Sequence, residues 1–160
     1  MNVHLYEKIW MWAAGVLIVA FAATVVGAAV GSGLQPPSHV ETIDPTKVFT
    51  HPQFGHPSVS VDANGATVVA FGMMFAFNPA VIRVPAGKPV TFRMTSADVT
   101  HGFQIVGTNA NTMLVPGYVS QFTTTFRQPG EYLIVCNEYC GLGHHLMSAK
   151  LIVEEGGAKP

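Results

Sequence analysis

Charge is what this sequence has least of. Lys, Arg, Asp and Glu make up 11% of the 160 residues, against about a quarter in ordinary soluble domains. Eight basic and nine acidic side chains leave a net charge of −1, with no basic run and no acidic tail. The footprint of a nucleic-acid binder is therefore missing, and so is a solvated charged arm. The near-neutral balance itself says little about partners. Cysteine is as scarce: there are two, at positions 136 and 140, so no framework of several disulfides is available. Repeats of a period between 20 and 50 residues are also lacking, which excludes a solenoid. A chain of this length holds one domain of ordinary size plus an appendage.

The charge deficit is concentrated at the start. From Ile9 to Leu34 no charged residue occurs. As a helix this run is about 39 Å long at ~1.5 Å per residue, enough to cross a hydrocarbon core of about 30 Å with some tilt. Trp10 and Trp12 stand near its beginning, where interfacial aromatics are expected, and small residues such as Gly15, Ala22 and Ala23 permit close helix approach. A cleaved signal peptide is the main competing reading, since Ala28, Ala29 and Gly31 suit a peptidase. Its apolar core, however, would be about twice the usual 7–15 residues. Residues 1–34 are thus expected to be a retained anchor that sends the rest of the chain across the membrane. Lys8 is the only basic residue before the span and Glu7 sits beside it, so charge specifies orientation poorly.

Residues 35–57, rich in proline and carrying His39, His51 and His56, show no periodicity and read as a linker or wrapping segment. From Ser58 the period becomes that of strands. Asn64-Gly65 between two apolar runs signals a hairpin, because both residues tolerate φ > 0. Val81–Val84, Val90–Thr95, His101–Val106, Gln121–Phe126, Glu131–Val135 and Ser148–Val153 follow, separated by turns such as Pro116-Gly117 and Pro129-Gly130. Seven or eight short strands at this spacing predict a mainly β domain over 58–155, an antiparallel sandwich or Greek-key barrel, with a tail at 156–160.

The chemistry gathers in CNEYCGLGHHLM, residues 136–147. Two thiols, two imidazoles, a carboxylate and a thioether fall within this stretch, and His101 opens a strand far upstream. A mononuclear blue-copper site takes one thiolate, two imidazoles and a weak axial thioether, so here one thiolate is left over. Two bridging thiolates holding two coppers fit the inventory better. Tetrahedral zinc on His101, Cys136, Cys140 and His144, a disulfide, or a Cu(I)-carrying thiol pair remain open on chemistry alone.

With THGFQI and RQPGEYLIVC upstream, this run resembles the CuA domain of cytochrome c oxidase subunit II, whose pattern is a distant His followed by C-x-[EQ]-x-C-G-x-x-H-x-x-M. FNPAVIRVPAG, TSADVTHGF and the single anchor extend the likeness over nearly the whole chain, toward the short subunit II of B-type (ba3-like) haem–copper oxidases. The resemblance implies a cupredoxin-like Greek-key fold and a dinuclear copper centre. Cys136 and Cys140 then bridge the coppers, His101 and His144 bind one each, and Met147 sulfur and the Glu138 carbonyl are weak axial ligands. It further implies electron entry from a cytochrome c or a small copper protein, transfer to haem in subunit I, and oxygen reduction with proton pumping. The setting is a prokaryotic plasma membrane with the domain outside. A nitric oxide reductase using the same module, or a membrane-anchored copper carrier, are the alternatives.

Some residues are left with smaller roles. His145 has no slot in the pattern and reads as an exposed neighbour. Asp98 and Asn111 lie near loop ends, where they either orient His101 and its surroundings or serve as ordinary turn residues. Met73, Met74, Phe75 and Phe77 read as core, with Phe75 and Phe77 loosely resembling the family's aromatic stretch at the electron-entry surface. Glu7 is a candidate proton collector at the inner end of the anchor; a pair with Lys8 is the plainer account.

Overall fold

A computed structural model describes residues 3–31 and 41–155, in two compact units taken separately below. The first is a single helix, α1 (Val3–Gly31). Its 29 residues span about 43 Å. The helix is apolar around its whole circumference and buries none of its residues, which suits lipid and not a protein core. The one hydroxyl in its second half is satisfied internally, Thr24 Oγ1 donating to the Phe21 carbonyl at 2.7 Å. α1 begins ahead of the uncharged run and carries Glu7 and Lys8 in its first turns. Residues 32–34, His39 and the 156–160 tail lie outside the described residues.

The second unit is a sandwich of two sheets. One contains β1 (Glu41–Thr42), β2 (Ser58–Val61), β3 (Ala66–Met73), β4 (Ala76–Asn78), β6 (Pro89–Ser96) and β9 (Tyr118–Thr125), in the order β1-β9-β6-β3-β2 with β4 paired to β3. The other has β5 (Val81–Pro85), β7 (His101–Ile105), β8 (Asn111–Leu114), β10 (Gly130–Val135) and β11 (Ser148–Glu154), in the order β5-β11-β10-β7-β8. Most pairs are antiparallel as expected, but β3–β6 and β5–β11 are parallel. Those two pairings mark where the chain crosses between sheets. Strand periodicity reports which side chains turn inward and carries no information about strand direction. β4 and β8 were not foreseen; three or four residues are too few to show alternation.

Alternation does place the core. In β5, Ile82 and Val84 point inward while Val81 and Arg83 are exposed. Phe92 and Phe103 are fully buried at the centre; Phe92 stacks on Phe122 at 5.0 Å, and Phe103 meets Phe77 edge-on at 5.4 Å. Such pairs add about 0.5–1.5 kcal/mol each beyond area burial.

The segment before Ser58 wraps and does not merely link. Glu41 and Thr42 pair with Val119 and Tyr118, and Asp44 caps a 3-10 turn over Pro45–Thr50. Val48 and Phe54 are fully buried, against Val69, Phe71 and Val119. β3 is thus covered on both faces: Val68 and Ala70 enter the main core, Val69 and Phe71 the second cluster. Arg93 fastens the wrap by donating to both Glu41 carboxylate oxygens at 2.8 Å. Of the two readings of residues 35–57, a linker or a wrapping segment, residues 41–57 follow the second and lie within the β unit. No periodicity could reveal this, because the wrap buries only two isolated apolar side chains, Val48 and Phe54.

Candidate metal centre

β7 begins with His101, whose side chain is completely buried. β10 ends at Val135 and delivers Cys136, whose N–H donates to the Met147 carbonyl at 3.2 Å. The intervening chain therefore returns on itself. A 3-10 turn over His144–Leu146 completes the return, with His144 N–H on the Gly141 carbonyl and Met147 N–H on the His144 carbonyl, both at 3.1 Å.

The donor atoms converge as a result. Cys136 and Cys140 sulfurs are 3.8 Å apart. His101 Nδ1 lies 4.0 Å from Cys136 Sγ, and His144 Nδ1 lies 3.6 Å from Cys140 Sγ. Met147 sulfur is 3.7 Å from Cys140, and the Cys136 thiol donates to the Glu138 carbonyl at 3.1 Å. His101, Cys136 and Cys140 offer ligand atoms all within 4.8 Å of one another, all buried. Each thiol thus has its own imidazole, and the thioether and carbonyl sit at the margins.

His101 is held from behind. Its Nε2 is 2.8 Å from Asp98 Oδ1, which leaves Nδ1 facing the thiols. The same carboxylate accepts Met74 N–H and Val99 N–H, each at 2.6 Å. Burial works to raise the Asp98 pKa, but those amides and His101 outweigh it and hold the carboxyl below its usual range. A carboxylate behind a ligand imidazole fixes the ring's tautomer and orientation. The Cys140 thiol is pushed up to about 11, chiefly by burial and then by Cys136 beside it. Without a metal this thiol keeps its proton at neutral pH, and binding must release it.

The remaining sequence expectations sort by burial. Glu138 turns its side chain to solvent while its carbonyl faces inward. His145 is exposed, as expected of a neighbour. His51 serves its own turn, Nδ1 accepting Gln53 N–H at 3.2 Å, and His56 is exposed. Glu7 lies 3.8 Å from His4 Nδ1 at the start of α1. Phe77 is 3% exposed and packs in the main core, so its assignment to an electron-entry surface is corrected: it is a core residue. Phe75 is different. It is 37% exposed, and its ring covers the ligand loop so closely that a Cβ on Gly143 would come within 2.5 Å of it. Met74, Tyr139, Leu142 and Leu146 are exposed on or beside the same loop. Asn111 does not reach His101; its Oδ1 accepts from Asn137 Nδ2 at 3.2 Å. Sequence reasoning passed over Asn137 and Gly102, and the one available signal was a glycine directly after His101.

Soft thiolates, imidazoles and a thioether form a donor set suited to copper. Zinc would take four of these groups and leave the thioether and carbonyl idle. Comparison with known proteins agrees. Residues 55–155 match the family model described as cytochrome C oxidase subunit II, periplasmic domain.

The chain belongs to the cytochrome c oxidase subunit II family.

A cytochrome c oxidase subunit 2 of Thermus thermophilus is 38% identical over 155 residues, 94% of this chain and 92% of that protein. A second Thermus thermophilus sequence of the same description is 41% identical over 127 residues, 78% of this chain and 94% of that one. Among solved structures, a chain of a heme-copper terminal oxidase dimer matches with a TM-score of 0.74 at 32% identity, covering 92% of this chain and 99% of that chain. The periplasmic domain of subunit II from Bradyrhizobium japonicum matches at 20% identity with a TM-score of 0.53, over 62% of this chain and 88% of that chain, which speaks for the fold alone. The β unit is cupredoxin-like, and the chain is a subunit of a haem–copper terminal oxidase, an oxidoreductase complex in which subunit II works with subunit I. α1 is long and apolar enough to be the membrane anchor of such a subunit.

Proposed function

We propose that this chain is the electron-entry subunit of its oxidase and that the site holds a dinuclear copper centre of the CuA type. The observation that carries the reading is the pairing of each buried thiol with its own imidazole, at 4.0 and 3.6 Å, around two sulfurs 3.8 Å apart. Cys136 and Cys140 would bridge, His101 and His144 would each bind one copper, and Met147 sulfur and the Glu138 carbonyl would complete the axial positions. Copper held by these residues would supply one-electron transfer.

The protein's own part is to keep that geometry fixed and dry. Asp98 orients His101, the sheets hold β7 and β10 in register, and Phe75 shields the loop from solvent. The donor is a cytochrome c or similar small protein on the outer side of a prokaryotic membrane, which α1 crosses once. Electrons leave for haem in subunit I, where oxygen reduction and proton pumping take place. Phe75, Met74, Tyr139, Leu142 and Leu146 give the donor an apolar landing area. Docking there depends little on long-range charge, so turnover with a cytochrome c donor should fall only modestly as salt rises; a collapse of the rate would count against it.

The deciding experiment is copper loading of the full-length chain in detergent. Two coppers per chain with a delocalised mixed-valence EPR signal are expected. One colourless metal per chain would overturn the proposal in favour of a carrier or a zinc site.

A further inference from the structure

Gly102 follows the ligand His101 in β7, and its φ is not among the left-handed ones. The backbone there would accept any residue; contact is what excludes a side chain. A Cβ on Gly102 would stand 1.9 Å from Asn137 Oδ1, 3.0 Å from Asn137 Cγ and 2.8 Å from the backbone nitrogen of Glu138. The Asn137 amide and the peptide entering Glu138 therefore rest directly on bare main chain. The other end of the amide is also fixed, since Asn137 Nδ2 donates to Asn111 Oδ1 at 3.2 Å. Asn111 lies on β8, in register with Gln104 of β7, and Met113 of β8 faces Gly102. Asn137 thus reaches from the end of β10, over β7, to β8.

Glu138 is caught between two constraints. Its nitrogen lies against Gly102, and its carbonyl oxygen is 3.1 Å from Cys136 Sγ. The position of that carbonyl is set by how deeply the preceding residue is seated. Axial contacts and hydrogen bonds around the sulfur ligands are the levers by which a protein adjusts a copper potential. We infer that Asn137, seated on Gly102 and tied to Asn111, is a positioning residue that fixes how closely the Glu138 carbonyl approaches the thiol pair, and thereby sets the reduction potential of the copper held there. The inference rests on the copper reading above. It adds a route by which residues that touch no metal control it.

The test uses the full-length chain, copper-loaded in detergent, with Asn111→Ala, Asn137→Ala, the double variant and Gly102→Ala. Midpoint potential, copper hyperfine splitting and thermal midpoint are read on each. Both asparagine variants should keep two coppers and shift the potential in the same direction. The double variant should shift it no further than the larger single, because the two side chains act as one tether. Gly102→Ala should shift it most. Potentials equal to the parent's, with only the thermal midpoint lowered, would show a merely structural bond and overturn the inference; so would fully additive shifts. The asparagine side chains are exposed, so these variants decide the question even if Gly102→Ala fails to take up copper. A parent that binds one metal or none sinks the copper reading itself, and the inference with it, before any variant is compared.

Discussion

The two sides of the metal site are built by different means. One is the loop Cys136–Met147, which supplies two thiols, an imidazole, a thioether and a carbonyl from a single stretch closed by its own backbone hydrogen bonds. The other is a wall of sheet, in which His101 on β7 is backed by Asp98 and bordered by Gly102. The loop contributes most of the donors, and its Tyr139, Leu142 and Leu146 are open to solvent. The wall contributes one donor and a fixed position, because His101 is fully buried and its ring cannot turn without breaking the bond to Asp98. The electron-entry role proposed above needs both: enough donors to take the metal, and a frame that does not follow its changes of charge.

The harshest way to break the comparison is to remove a loop thiol. Cys136→Ser should abolish the dinuclear centre, leaving at most one copper per chain by metal analysis and no mixed-valence EPR signal. If the loop is the dominant partner, no change in the wall should do as much. Asp98→Ala tests that: His101 Nε2 would be left buried without a partner, and copper affinity should fall about 10–100-fold in competition titrations while two-copper stoichiometry survives at saturation. A loss as complete as that of Cys136→Ser would show the wall to be an equal partner.

Acidity probes the loop alone. Burial and the neighbouring Cys136 push the Cys140 thiol up to about 11, so this thiol must release its proton when metal binds. Lowering the pH favours the protonated, metal-free Cys140 thiol, so affinity should fall by about tenfold per pH unit for each proton displaced. Competition titrations at pH 6 and pH 8 check it, and a flat profile would show that this thiol is already ionised. The smallest effect is expected from Met147→Leu, which keeps the buried volume nearly constant. Copper should stay bound and the potential should move, because a weak axial thioether tunes a copper site more than it holds it.

Much of this was legible from residues alone, for identifiable reasons. Cys136, Cys140, His144 and Met147 are close in sequence, so their spacing already confines them to a small volume, and the family pattern adds His101. α1 was readable because lipid demands an uninterrupted apolar run. Phe75 and Phe77 show the limit. Two residues apart in one short run they look equivalent, yet Phe77 enters the core beside Phe103 while Phe75 lies over Gly143. Phe75 lies in the turn that joins β3 to β4 and Phe77 in β4 itself, and no local signal tells which of the two belongs to the turn. The wrap at 41–57 was hidden for a related reason: Val48 and Phe54 are single apolar residues in a proline-rich segment, and only the second face of β3, with Val69 and Phe71, gives them somewhere to go.

The apolar helix, the β class and the crowding of candidate donors into one loop could be read from residues alone, because each depends on composition or on spacing within a few residues. The tertiary structure alone decided the rest. It set Asp98 behind His101, laid Asn137 on Gly102, and chose which phenylalanine covers the loop. Those contacts join residues on different strands, and their distances follow from sheet order and register, which local pattern does not encode.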